Sequence, residues 1–200
     1  TGNTVIDALL FAVKKPYDLK KAGVDVKKNK KIILVTTHRR ESFGEPMRNV
    51  CGAIAVIAKK HGEIATIVLP VHKNPRVREV INDTLSGIHD IVLIEPMDYI
   101  PFVNLMKESY IILTDSGGVQ EEAPSLGKPV LVLRDITERP EAVEAGTVKV
   151  VGTDAAIIVR ETEKLLTDKE EYDKIAKAVN PYGDGHAADR IAFAIMRKFG

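Results

Sequence analysis

Residues Tyr110–Pro124 read YIILTDSGGVQEEAP. A run of apolar and β-branched residues, Tyr110–Thr114, meets Asp115-Ser116-Gly117-Gly118, and a helix-compatible run follows. A strand, a glycine turn and a helix in that order form the front of a βα unit. Glycines at such a turn let backbone N–H groups approach an anion, because the first N–H groups of a helix lack internal partners and lie at the positive end of its dipole. Yet Glu121 and Glu122 follow within the same helix, where their charge would repel one.

The same alternation extends to both sides. Strands are expected at Ile32–Thr36, Ala65–Leu69, Ile91–Ile94, Tyr110–Thr114, Val130–Leu133 and Val148–Val151. Helical spacing of apolar residues is found at about Met47–Lys60, Asn74–Leu85, Tyr99–Lys107, Gly117–Leu126 and Pro140–Ala145. The strand candidates are continuously apolar, as in strands buried on both faces of a parallel sheet. The expected fold is therefore α/β, a doubly wound parallel sheet. Three further helices are expected at Asp154–Leu166, Lys169–Ala178 and Ala187–Lys198, the last two separated by Asn180-Pro181 and Gly183-Asp184-Gly185.

Ligands of such sheets bind outside the carboxyl ends of the strands. Thr37-His38-Arg39-Arg40, Pro70-Val71-His72, Asp115–Gly118 and Arg134-Asp135 all fall there. Four polar or glycine-rich loops are thus expected on one rim.

Bulk properties narrow the class. The 200 residues are 44% hydrophobic and 28% charged, as in an ordinary soluble globular chain. Twenty-nine basic and 28 acidic side chains give a net charge of +1, without the basic excess of a nucleic-acid binder. No apolar run approaches the ~20 residues of a membrane span. A single cysteine, Cys51, cannot form an internal disulfide and suits a reducing compartment, so the cytoplasm is expected. There is no HExxH-type spacing and no partner for Cys51, so no metal is expected. Thr1–Ala12 has neither an initiator Met nor a signal-peptide pattern, and is expected to be the start of a piece cut from a longer protein, a trimmed tag junction being the alternative.

Each rim residue has two readings. Ser116-Gly117-Gly118 is a phosphate turn or simply a tight turn; it matches neither GxGxxG nor a Walker loop. A carboxylate five or six residues into the helix lies about 8 Å along it, far enough to spare a phosphate and near enough to accept two ribose hydroxyls. Successive helical residues differ by about 100°, so only one glutamate of the pair can face the ligand. The other reading leaves both acids exposed, complementing the dipole. Arg139, before Pro140 at a helix start, is a phosphate ligand or a surface partner of Glu138 or Glu141. His38, beside Arg39 and Arg40, is a proton acceptor kept neutral by nearby positive charge, or a structural loop residue; His72 has the same two readings. Phe102 stacks on a base or packs in the core.

Taken in order, GNTVIDAL at Gly2–Leu9, THRRESFG at Thr37–Gly44, PVHKNP at Pro70–Pro75, DSGGVQEEAPSLGKPVLVLRDITERPE at Asp115–Glu141, AGTVKVVGTD at Ala145–Asp154 and NPYGDGHAADRI at Asn180–Ile191 resemble the non-hydrolysing UDP-N-acetylglucosamine 2-epimerases over essentially the whole chain. The resemblance implies a Rossmann-like domain, the C-terminal half of a glycosyltransferase-B type enzyme whose N-terminal domain is missing. Residues 1–30 would be an interdomain connector and leading helix, and residues 31–200 the UDP-binding domain with a helical tail. It implies that Ser116, Gly117 and Gly118 bind the UDP phosphates, Glu122 the ribose and Arg139 the nucleotide, with Glu121 structural. It places Phe102 and Met97 near the uracil, Met97 standing where some members carry Gln. His38 becomes an active-site residue, and His72 lies near the diphosphate and a regulatory second substrate site. No cofactor is implied, the UDP-sugar is the small-molecule partner, and a homodimer is common in the family. Rivals are a glycosyltransferase of the same architecture, a hydrolysing epimerase, and a nucleotide-sugar-binding module without catalysis.

Overall fold

The computed structural model describes residues 1–39 and 43–199; Arg40, Glu41 and Ser42 of the THRRESFG motif lie outside the described residues. Six parallel strands form one sheet: β1 (Lys31–Thr36), β2 (Ala65–Pro70), β3 (Ile91–Ile94), β4 (Ile111–Thr114), β5 (Val130–Val132) and β6 (Val148–Val150). Their order is β3-β2-β1-β4-β5-β6, the doubly wound dinucleotide-fold order, with its switch point between β1 and β4.

Adjacent residues of β1 feed opposite cores, which explains its unbroken apolar reading. Ile33 and Val35 pack with α2 (Glu45–His61), α3 (Pro75–Leu85) and α7 (Ala155–Thr167). Leu34, between them, packs on the other face with α1 (Thr4–Ala12), α4 (Tyr99–Glu108), α5 (Gly117–Glu122) and α6 (Pro140–Glu144). All three are fully buried. In the leading segment, Leu9, Ala12 and Val24 are buried in that second core, so residues 1–30 pack as part of the same body. Cys51 is buried in α2, and burial pushes its thiol up to about 11, which leaves little thiolate at neutral pH.

Helix starts follow local chemistry. Asn3, Asn74 and Asp154 accept from the N–H groups of Val5, Arg76 and Ile157, capping α1, α3 and α7. The expected helix Gly117–Leu126 is cut in two. α5 stops at Glu122 and a 3-10 turn carries Ala123–Leu126. Pro124 has no N–H to give to Gln120, and its ring crowds that carbonyl, so the helical ladder cannot pass it. Gly127, at φ +67°, then ends the turn in the left-handed region. Strand ends shift by one residue, β4 starting at Ile111 and β5 and β6 ending at Val132 and Val150. α8 (Lys169–Ala176) and α9 (Ala187–Phe199) complete the chain; α9 contacts α1 and leaves Phe193, Met196 and Phe199 exposed.

Candidate functional site

The loops after β1, β2, β3 and β4 enclose a cavity of about 260 Å³. Its walls include His38, His72, Met97, Phe102 and Ser116, five of the residues singled out in the sequence. The His38 and His72 rings stack, with centroids 5.6 Å apart and planes 17° apart. His72 Nδ1 accepts from the Asn74 N–H at 3.1 Å, so a neutral ring carries its proton on Nε2. A larger cavity, about 690 Å³, opens between α1 and residues 179–184 and holds none of the candidates. Convergence of predicted residues, not size, selects the smaller one.

The Ser116–Gly118 turn lies at the switch point. The Ser116 N–H is committed to Thr114 Oγ1 at 3.0 Å, and its hydroxyl makes no capping bond. Gly117 and Gly118 are the first two residues of α5, whose N–H groups have no intrahelical acceptor. Two guanidinium groups lie beside Gly117. A methyl on Gly117 would stand 3.6 Å from Arg139 Nη2 and 3.8 Å from Arg39 Nη2. The Arg39 Nε is buried without a hydrogen-bond partner among the described residues. The pair makes a fork for a polyanion.

The two glutamates are not exposed, at 9% for Glu121 and 6% for Glu122. The exposed reading therefore fails: each acid has found a remote partner that local spacing does not reveal. Glu121 takes the Arg139 Nε on one oxygen and the Asn3 Nδ2 on the other, the latter at 2.8 Å. The surface partners expected for Arg139 are engaged otherwise. Glu138 pairs with Arg134 at 3.2 Å and offers Arg139 only its backbone carbonyl at 3.0 Å, while Glu141 accepts from the Tyr182 hydroxyl at 3.5 Å. Glu122, three residues after the cavity-lining Val119, is not itself in the cavity wall. Its Oε1 accepts from the Tyr99 hydroxyl at 2.7 Å. Burial raises the Glu122 carboxyl above its ordinary value and the neighbouring charge of Glu121 adds to this, while the Tyr99 bond works against both. Burial, then Glu122 itself, push the Tyr99 hydroxyl well above its usual range.

Arg39, Tyr99, Gln120 and Thr137 support the candidate residues, and of these four only Arg39 stands among the rim residues read from the sequence. Gln120 is fully buried, donates to the Ser116 carbonyl at 3.1 Å and accepts from Thr137 Oγ1 at 2.5 Å; Thr137 Oγ1 also accepts the Arg139 N–H at 3.1 Å. That network ties the glycine turn to the Arg139 loop. Only Arg39 carried a signal in the sequence, as the arginine after His38. No group of three or more His, Cys, Asp or Glu among the described residues is placed to hold a metal.

Residues 1–196 match the UDP-N-acetylglucosamine 2-epimerase family. The chain belongs to it. The Yersinia pestis UDP-N-acetylglucosamine 2-epimerase is 55% identical over 98% of this chain. Among solved structures, the UDP-GlcNAc 2-epimerase from Neisseria meningitidis, bound to UDP-GlcNAc, is 48% identical and superposes over 98% of the chain with a TM-score of 0.87. S. aureus MnaA, solved with UDP, is 45% identical over 100% of the chain with a TM-score of 0.90. These matches cover 54%, 54% and 55% of the respective relatives, so this chain spans about half the length of a 2-epimerase. The α/β Rossmann-like fold is that of its relatives.

Proposed function

We propose that this chain is the UDP-binding half of an enzyme that interconverts UDP-N-acetylglucosamine and UDP-N-acetylmannosamine by reversible inversion at C2. The supporting observation is one arrangement in a chain belonging to this family: a glycine turn flanked by Arg39 and Arg139, with the buried Glu122 farther along the same helix. Relatives solved with UDP-GlcNAc and with UDP support the ligand class.

In this reading the Gly117 and Gly118 amides, the Ser116 hydroxyl and Arg139 hold the diphosphate. Glu122 accepts the ribose hydroxyls, and Phe102 and Met97 flank the uracil. A cavity of about 260 Å³ falls below the ~300–1,000 Å³ that encloses a drug-sized ligand, so it takes only part of a nucleotide sugar. His38 faces the reacting sugar and His72 stands near the diphosphate. A base takes the C2 proton as the anomeric C1–O bond breaks, and UDP departs with the electron pair, leaving a 2-acetamidoglucal. UDP then re-adds at C1 while C2 takes a proton on the opposite face. Negative charge develops on the leaving diphosphate, where the amides and Arg139 stabilise it. The proton-transfer carboxylates belong to the other half, by the family resemblance. The whole enzyme is read as cytoplasmic and homodimeric, with residues 31–200 as the UDP-binding domain and residues 1–30, packed against its core, as the connector leading in from the other half.

The test is a UDP titration of the 200-residue chain followed by amide NMR. Shifts are expected at His38, Phe102, Gly117, Gly118 and Glu122; shifts confined to another surface overturn the reading. Gly117→Ala adds a methyl at ordinary contact distance, so thermal stability should hold. The methyl occupies the space between the two guanidinium groups, so UDP affinity should fall. Equal affinity in that variant would remove the diphosphate from the turn. In a coupled assay the chain alone should give no C2 inversion, and substantial turnover would show that it carries its own acid and base.

A further inference from the structure

Asp115, immediately before the glycine turn, is fully buried at the switch point between β1 and β4. Its Oδ2 accepts from the Thr37 hydroxyl at 3.1 Å and from the His38 and Arg39 N–H groups at 2.8 Å each. Its Oδ1 has no hydrogen bond among the described residues and lies 3.4 Å from His38 Nδ1. A carboxylate kept from water needs donors, and here every one comes from the loop after β1. One oxygen thus pins the backbone of His38 and Arg39 to the start of the glycine turn, and the other faces the imidazole.

We propose that Asp115 is a positioning residue: it holds His38 as the Nδ1–H tautomer, leaving Nε2 as the acceptor, and fixes the Arg39 guanidinium beside Gly117. The proposal rests on the UDP-binding reading above. A carboxylate that orients one imidazole nitrogen decides which nitrogen can take a proton. Stacking on His72, whose ring is itself held by the Asn74 N–H, confines the His38 plane from the other side. The two loops that meet the nucleotide then move as one unit.

Charge alone predicts the opposite sign. Removing a negative charge beside a diphosphate site should tighten anion binding. Loss of positioning should weaken it, so the sign of the Asp115→Asn effect separates the two. The chain is labelled with [15N]histidine and its ring nitrogens are read by long-range 1H–15N correlation at a pH where the rings are neutral, with His38 assigned through His38→Asn. The Nδ1–H form is expected at His38. In Asp115→Asn the new amide N–H₂ faces Nδ1 and should drive the ring to Nε2–H, while UDP affinity falls about ten-fold. An Nε2–H tautomer at His38 in the unaltered chain overturns the proposal, whether or not the variant folds. So does an Asp115→Asn chain that binds UDP as well as, or better than, the parent. Thr37→Val removes one donor and leaves Oδ1 in place; it should keep the tautomer and weaken UDP less than Asp115→Asn does. If the unaltered chain shows Nδ1–H yet does not bind UDP, the functional reading fails while the Asp115–His38 coupling stands.

Discussion

Replacing Glu122 by Gln is expected to weaken UDP binding by roughly 10- to 100-fold, the worth of hydrogen bonds to a charged acceptor. The same change should stabilise the empty chain at neutral pH. The carboxyl is buried, and burial, joined by the charge of Glu121, raises its proton affinity in the fold above the ordinary value of 4.5. A raised value means that the folded chain holds the proton more tightly than the unfolded one. Below 4.5 both states are protonated and the carboxyl costs nothing extra. As pH rises through the raised value, the folded state bears an ionised buried group and loses stability. The Gln variant escapes that cost and can keep an acceptor for the Tyr99 hydroxyl. Thermal unfolding at acid and neutral pH should therefore show the variant's advantage only at the higher pH, in the same protein whose UDP affinity has dropped. A variant that loses stability and affinity together would make Glu122 a packing residue.

Leu34→Ala should do the reverse. Leu34 is fully buried in the strand with neighbours on both sides, and packs against the α1/α4/α5 layer. Truncation removes transfer energy and leaves a void, about 2–5 kcal/mol in all. For a chain of this size each kcal/mol moves Tm by about 2–4 °C, so a fall of roughly 5–15 °C is expected. UDP affinity of the chain that remains folded should be nearly unchanged, because Leu34 lies beneath the site and not in its wall. A drop below about 2 °C would mean that the two faces of the sheet repack around the loss.

The architecture was legible because both faces of the sheet are buried. Continuous apolar runs such as Ile32–Val35 then mark strands without ambiguity, and glycine and proline mark their ends. Pro124 is visible too, but apolar spacing that runs on to Leu126 masks the break it makes. The rim was legible in part for the same topological reason: His38, His72, Met97, Phe102 and Ser116 share one cavity, while Arg134-Asp135 of the fourth expected loop is not in its wall. The fate of the two glutamates was not. Exposure of an acid depends on who neutralises it, and those partners lie far off in sequence: Asn3 is 118 residues from Glu121, and Tyr99 is 23 from Glu122. Asp115 was hidden in another way. It stood in plain view as part of a loop, but a carboxylate's bonds to backbone N–H groups 76 and 77 residues earlier leave no spacing to read.

Helix α9 carries a practical consequence. Its oily band, with Phe193 66% and Phe199 77% exposed, faces solvent while only Ala187 is buried. Copies of this chain held at spectroscopic concentration will shelter those rings against one another, so linewidths will broaden on concentration and sharpen on dilution. The UDP titration is therefore best run on dilute samples, where each chain stands alone.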